Sequence, residues 1–285
     1  MRALERFVSV QDGRRLFVRD EGPLAAGNTP VLCLPGLTRN GSDFEELARH
    51  LAKQRRVVRL DYRGRGRSER DPDWRNYRPS MTVADTLQTI AALDLHRILA
   101  VGTSFGGGLA MALAVAGPLT LAGAVLNDIA PDIEPRASAR ILDYVAKDRP
   151  QRDWESAIAF LQSTLPNLPL RSEDDWLRFA KSTYRQGSDG LLHYDWDTAL
   201  ARPFREEKPA DLRPLFRALA RHPILAIRGA LSDVVSEAAF ATMAAAKPDL
   251  RRVVVPEVGH APALDEPPVL EAIDALLDDL DRARH

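Results

Sequence analysis

The chain has 285 residues, enough for one large α/β domain or two small ones, and 45% hydrophobic residues supply a sizeable core. Lys and Arg number 39 against 40 Asp and Glu, a formal net charge of −1, so no global field draws it to nucleic acid or an anionic membrane. The single cysteine, Cys33, excludes an internal disulfide and any cysteine-based zinc cluster, and reads as a small apolar side chain in a buried strand.

The first residues, Met1-Arg2-Ala3-Leu4-Glu5-Arg6, carry both signs of charge and lack a secretory apolar stretch, so a cytoplasmic location is expected. Phe7-Val8-Ser9-Val10 and Arg15-Leu16-Phe17-Val18, joined across Asp12-Gly13, predict an antiparallel hairpin at a sheet edge. Strand-length apolar runs then recur at Val31 to Leu34, Val57 to Leu60, Ile98 to Val101, Ala124 to Leu126, Ile224 to Ile227 and Arg252 to Val255. Between them lie helical patterns at Phe44 to Gln54, Val83 to Leu93, Phe105 to Ala116, Ser236 to Ala246 and Val269 to Leu280. This alternation predicts a mostly parallel sheet covered on both faces. The longest apolar segment, Leu109 to Leu126, is broken by Gly117-Pro118 and reads as helix, turn and buried strand rather than a membrane span.

One interval breaks the rhythm. From Pro131 to about Pro214 no buried-strand run occurs, while Arg136 to Ala146, Trp154 to Thr164 and Asp174 to Tyr184 show helical patterning. The division expected is a core of residues 1–131 and 215–285 with a helical lid over 132–214. The lid holds Trp154, Trp176 and Trp196 together with Tyr184 and Tyr194, apolar surface suited to sitting on a sheet edge and lining a pocket. Tyr184 and Trp196 are its candidate substrate contacts. Arg136, Arg140, Arg178 and Arg185 are available to an anionic substrate.

Chemistry concentrates at Gly102-Thr103-Ser104-Phe105-Gly106, where an apolar run meets a helical one. A serine at a sharp strand-to-helix turn must adopt a strained backbone, and glycines two before and two after it let strand and helix approach. Ser104 would stand at the carboxyl end of a strand, with the N–H of Phe105 at a helix N-terminus able to hold an oxyanion. Three more segments matter: Leu60-Asp61-Tyr62-Arg63-Gly64-Arg65-Gly66-Arg67-Ser68, Arg228-Gly229-Ala230-Leu231-Ser232-Asp233, and Val258-Gly259-His260-Ala261-Pro262. Among six histidines only His260 follows a strand in a Gly-His-Ala-Pro turn. The Arg63 to Arg67 run is too short for a nucleic-acid patch and reads as solvated or ion-paired.

Together these motifs resemble the α/β-hydrolase fold superfamily, in its lid-bearing branch of esterases, lactonases and carbon–carbon bond hydrolases. The resemblance implies a central sheet of about eight strands flanked by helices with an inserted lid. It implies Ser104 as nucleophile, His260 as base and Asp233 as acid, in the family's order. Asp128 in Asn127-Asp128 also follows a strand, a position from which some members take the carboxylate, and is otherwise read as shaping the lid entrance. The loop Pro35-Gly36-Leu37-Thr38 supplies the second oxyanion donor, the Leu37 N–H, with Gly36 allowing the loop geometry and bordering the substrate. The expected reaction is hydrolysis of a small or medium carboxylic ester or lactone, with carbon–carbon hydrolysis of a vinylogous diketone as the alternative. A non-catalytic ligand receptor on the same fold is the reading from another class. Serine at 104 argues against epoxide hydrolases and haloalkane dehalogenases, which need aspartate there. No metal or cofactor is implied, the partner is a small acyl substrate, and monomer and homodimer both stay open.

Overall fold

Aliphatic runs too short for helices form the strands, and the longer amphipathic stretches form helices on both faces of the sheet. The structure, a computed structural model, describes residues 3–24, 27–132, 135–165, 167–207 and 211–283, with the side chains of 135–138 outside the description. In chain order the strands are β1 (Leu4–Ser9), β2 (Arg15–Glu21), β3 (Val31–Leu34), β4 (Val57–Leu60), β5 (Ile98–Thr103), β6 (Leu121–Asn127), β7 (Tyr184–Gln186), β8 (Leu192–Tyr194), β9 (Ile224–Gly229) and β10 (Arg251–Val255). The α-helices are α1 (Glu45–Leu51), α2 (Pro79–Ala92), α3 (Phe105–Ala116), α4 (Pro135–Ala146), α5 (Trp154–Thr164), α6 (Glu173–Thr183), α7 (Ala201–Glu206), α8 (Arg213–Ala218), α9 (Glu237–Ala246) and α10 (Pro267–Arg282).

The eight-stranded sheet runs β1-β2-β4-β3-β5-β6-β9-β10. The expected edge hairpin is β1 with β2; β2 is antiparallel to both neighbours and every later pairing is parallel. Strands β3 and β4 are buried at every residue, as a parallel sheet covered twice requires. Successive residues point to opposite faces. Leu32 and Leu34 of β3 therefore pack in one cluster with Leu109 and Leu113 of α3, while Val31 and Cys33 pack in the other with Ile273 and Leu277 of α10. Cys33 has no exposed surface, and burial pushes its thiol up to about 12, so it serves as an apolar side chain.

The segment between β6 and β9 builds its own apolar cluster, with Leu161, Ala180, Tyr184, Tyr194 and Trp196 at its centre. It is not all helical. The helix expected to reach Tyr184 ends at Thr183, and Tyr184 opens the antiparallel β7–β8 pair opposite Tyr194. Strands of three residues leave no readable alternation in the sequence. Helix α8 belongs elsewhere, with Phe216 in the cluster that holds α3. The insertion is tied to the loops after β3 and β4: Asn40 Nδ2 donates to Ser182 O (2.9 Å), and Tyr77 Oη donates to Asp197 Oδ2 (2.8 Å). Among the described residues, no helix is long and apolar enough to cross a membrane.

Candidate active site

Ser104 joins β5 to α3 with φ 52° and ψ −115°, a left-handed conformation costly to a residue with a Cβ. Close packing imposes it. A Cβ on Gly102 would lie 2.3 Å from Gly106 O, and one on Gly106 would lie 1.9 Å from Leu34 O, so both glycines are required where strand and helix meet. Ser104 N–H donates to Asn127 O (2.8 Å), which locks the turn to the end of β6. Asn127 adds a second tie: its Nδ2 donates to Thr103 Oγ1 (3.0 Å) and to Pro262 O (2.9 Å), linking the serine turn to the histidine loop.

The residue after Asn127 holds the histidine. Asp128 has φ 52°, which turns its side chain toward the end of β9, and it has no exposed surface. Its Oδ1 accepts Gly229 N–H (2.9 Å), and its Oδ2 accepts Ser232 Oγ–H (2.6 Å) and His260 Nδ1–H (2.7 Å). A carboxylate oxygen accepts this bond, so Nδ1 is its donor and Nε2 is the ring nitrogen turned away from Asp128. Among the described residues no hydrogen bond joins Ser104 Oγ to His260 Nε2; in ligand-free sites this contact commonly forms only with substrate in place.

The expectation that Asp233 orients His260 is therefore corrected: the structure places Asp128 there. Asp233 lies in the turn after β9, but it is Ser232 that faces inward. The Asp233 side chain is 54% exposed and pairs with Arg140 of α4. Sequence reading gave Ser232 no role, although the segment Arg228 to Asp233 that contains it was singled out. Its Oγ donates to Asp128 and accepts Val235 N–H (3.1 Å), so it braces the carboxylate against its own loop.

Leu37 and Phe105, the expected oxyanion donors, lie on the loop after β3 and at the start of α3. Among the described residues neither N–H has a hydrogen-bond partner within the protein, and Phe105 is the first residue of α3, where the helix dipole is positive. Tyr62 Oη donates to Pro35 O (3.2 Å) and Arg65 Nε donates to Leu37 O (2.7 Å), so the loop after β3 is held on both sides of Gly36. Gly36 itself is tightly placed, a Cβ there lying 3.3 Å from the Arg39 side chain.

The insertion's expected substrate contacts do other work. Trp196 is 1% exposed, stacks on Tyr194 at 3.9 Å and donates from Nε1 to Val145 O (3.1 Å). Tyr184, also buried, leans on Tyr194. Both are packing residues of the inserted cluster, and Asp128, expected to shape an entrance, is the histidine's partner. Of the four arginines weighed for an anionic substrate, Arg140 pairs with Asp233, Arg178 with Asp175, and the Arg136 side chain lies outside the described residues. Arg185 lines a cavity of about 400 Å³ with Arg70, Asp148 and His193, which includes neither Ser104 nor His260.

The run Arg63 to Arg67 divides in two ways. Arg63 is buried and fully matched, its guanidinium bonded to both oxygens of Asp85 and to Asp71 and Asp12. Arg67 pairs with Glu5 at the surface. Arg65 departs from the ion-paired expectation: it is buried, and among the described residues no carboxylate forms a salt bridge with it.

A strand-turn-helix serine and a loop histidine held by a buried carboxylate are the arrangement expected of an α/β hydrolase. The sequence profile described as alpha/beta hydrolase fold matches residues 29–267, and the chain belongs to that family as a hydrolase. It is 35% identical over 248 residues to a 3-hydroxybutyrate-oligomer hydrolase of Cupriavidus necator, covering 83% of this chain and 84% of that protein. It is 31% identical over 265 residues to a 2-(acetamidomethylene)succinate hydrolase of Mesorhizobium japonicum, covering 90% of each. Its structure resembles that of an alpha/beta hydrolase from Novosphingobium aromaticivorans with a TM-score of 0.89 and 41% identity, over 97% of this chain and 98% of the other.

Proposed function

We propose that the protein is a serine hydrolase that cleaves small or medium carboxylic esters through an acyl-enzyme on Ser104, with esters of short hydroxy acids as the favoured class. The observation that carries this reading is the buried Asp128–His260 pair at a strand end hydrogen-bonded to the Ser104 turn. In this mechanism Ser104 Oγ attacks the ester carbonyl as His260 Nε2 takes its proton, and Asp128 stabilises the imidazolium. The Leu37 and Phe105 N–H groups hold the oxyanion. Collapse of the tetrahedral intermediate breaks the C–O bond, and the imidazolium gives its proton to the leaving alcohol. Water, deprotonated by the same histidine, then releases the acid and frees Ser104. These groups supply every proton transfer and charge contact the reaction needs. The hydroxy-acid preference is supported by similarity to the 3-hydroxybutyrate-oligomer hydrolase across most of both chains. The segment 132–214 acts as the lid that excludes water and shapes the acyl pocket.

The test is steady-state hydrolysis of p-nitrophenyl butyrate and of the 3-hydroxybutyrate dimer. Ser104→Ala is expected to lose at least about a thousandfold in kcat on both. A Ser104→Ala protein as active as the parent would remove the acyl-enzyme, and turnover of a vinylogous diketone with no ester turnover would reassign the reaction to carbon–carbon cleavage.

A further inference from the structure

Among the described residues Arg65 is a charge with no carboxylate partner. The residue is 1% exposed, its Nε donates to Leu37 O (2.7 Å), its Nη1 donates to Arg63 O (2.9 Å), and its buried Nη2 has no partner among the described residues. The guanidinium lies 5.4 Å from the Tyr62 ring centroid and 5.6 Å from that of Phe105, the residue next to the nucleophile. Burial lowers its pKa to about 10; Tyr62, Tyr77, Asp197 and Asp85 favour the charged form and offset only part of that effect. Even so, the group stays protonated at neutral pH. Two residues earlier the same motif surrounds Arg63 with three carboxylates, so the chain can neutralise an arginine here and does not do so at 65.

We propose that Arg65 is a positioning residue for the oxyanion hole, fixing the Leu37 loop through Nε and keeping an uncompensated positive charge beneath the place where the tetrahedral oxyanion forms. This rests on the serine-hydrolase reading. The N–H of Leu37 belongs to the peptide between Gly36 and Leu37. Tyr62 Oη holds the carbonyl on one side of that peptide, at Pro35, and Arg65 Nε holds the one on the other, at Leu37. A loop containing glycine is thus stopped from rotating its donor away, and the donor is in place before charge develops. The unmatched charge favours whichever state carries negative charge nearby, and that state is the transition state rather than the neutral ester. Net attraction to the oxyanion is what a carboxylate beside Arg65 would cancel.

The experiment compares Arg65→Met and Arg65→Lys with the parent for ester kcat and KM, for inhibition by a short alkylboronic acid that forms an anionic tetrahedral adduct with Ser104, and for melting temperature. Arg65→Met is expected to lose about 100-fold in kcat with KM within about threefold, the lower end of the loss from one oxyanion donor. Boronate affinity should weaken by the same factor. Melting temperature serves as the folding control, since removing a buried charge favours the variant while losing the bonds to Leu37 O and Arg63 O opposes it. Arg65→Lys, which keeps charge and loses the fork, should fall between the two. Parental kcat and boronate affinity in folded Arg65→Met overturn the proposal, as does a loss of kcat with boronate affinity unchanged. Should Arg65→Met fail to fold, Arg65→Lys decides by the same boronate measurement, and parental affinity there overturns the clamp. Ser104→Ala separates the two readings: if it is inactive while Arg65→Met matches the parent, only this inference fails.

Discussion

The ends of β6 and β9 each carry an aspartate within reach of the same rim, and their environments are opposite. Asp128 follows β6 directly, has no exposed surface and spends its two oxygens on three donors from two loops. Asp233 stands four residues beyond β9, half in solvent, against an arginine of α4. What separates them is direction. The left-handed turn at Asp128 folds its carboxylate back over the sheet, whereas the turn after Gly229 points Ser232 inward and Asp233 outward. A carboxylate orients histidine only if surrounding donors hold it in place, and only the β6 end provides them.

Asp128→Asn breaks the comparison hardest. The amide presents a donor where Nδ1–H needs an acceptor, so the ring takes the wrong tautomer or turns away, and kcat is expected to fall on the order of 10³–10⁴-fold. Stopped-flow or steady-state ester hydrolysis measures it. Less than a tenfold loss would mean that His260 has another partner during turnover. Folding is a separate readout, since the side-chain amide at 128 also faces the Gly229 N–H and Ser232.

Ser232→Ala sharpens the same comparison from the other loop. It removes one of two donors to Asp128 Oδ2 and leaves His260 and Gly229 in place, so the carboxylate stays bound but less rigidly. A net hydrogen bond to a charged group is worth about 1.5–3 kcal/mol, part of which water or the remaining donors recover. The expected result is about a tenfold loss in kcat with KM unchanged. An unaltered kcat would show that Gly229 and His260 alone hold the acid.

The sheet, the strand-to-helix serine and the histidine turn were legible because each rests on local chemistry: apolar runs of strand length, glycines where backbones meet, a histidine at a strand end. The acid was not, because Asp128 and Asp233 both follow strands and the difference between them is a backbone dihedral plus contacts with residues about 100 positions away. Arg65 was misread for a related reason. Its neighbours Arg63 and Arg67 do find carboxylates, and nothing in Arg-Gly-Arg-Gly-Arg tells which of the three lacks one. The β7–β8 pair was missed because three-residue strands are stabilised by the stacking of Tyr184, Tyr194 and Trp196, a tertiary effect.

Asp233→Asn is the smallest effect and the most discriminating control. Were Asp233 the catalytic acid, this change would cost as much as Asp128→Asn; paired among the described residues with exposed Arg140, it should alter kcat/KM by less than about twofold. An exposed ion pair contributes about 0–1 kcal/mol and weakens with salt, so melting temperature should drop by no more than about 1–3 °C, less at high ionic strength. Arg140→Gln should reproduce that shift, and the double variant should add nothing, because either change already removes the contact between α4 and the β9 loop. A large kcat loss in Asp233→Asn alone would place the acid on β9 during turnover and make the Asp128–His260 contact a resting arrangement. If the salt-dependent shift appears without loss of rate, the two strand ends have divided the work: β6 holds the histidine, and β9 holds the insertion.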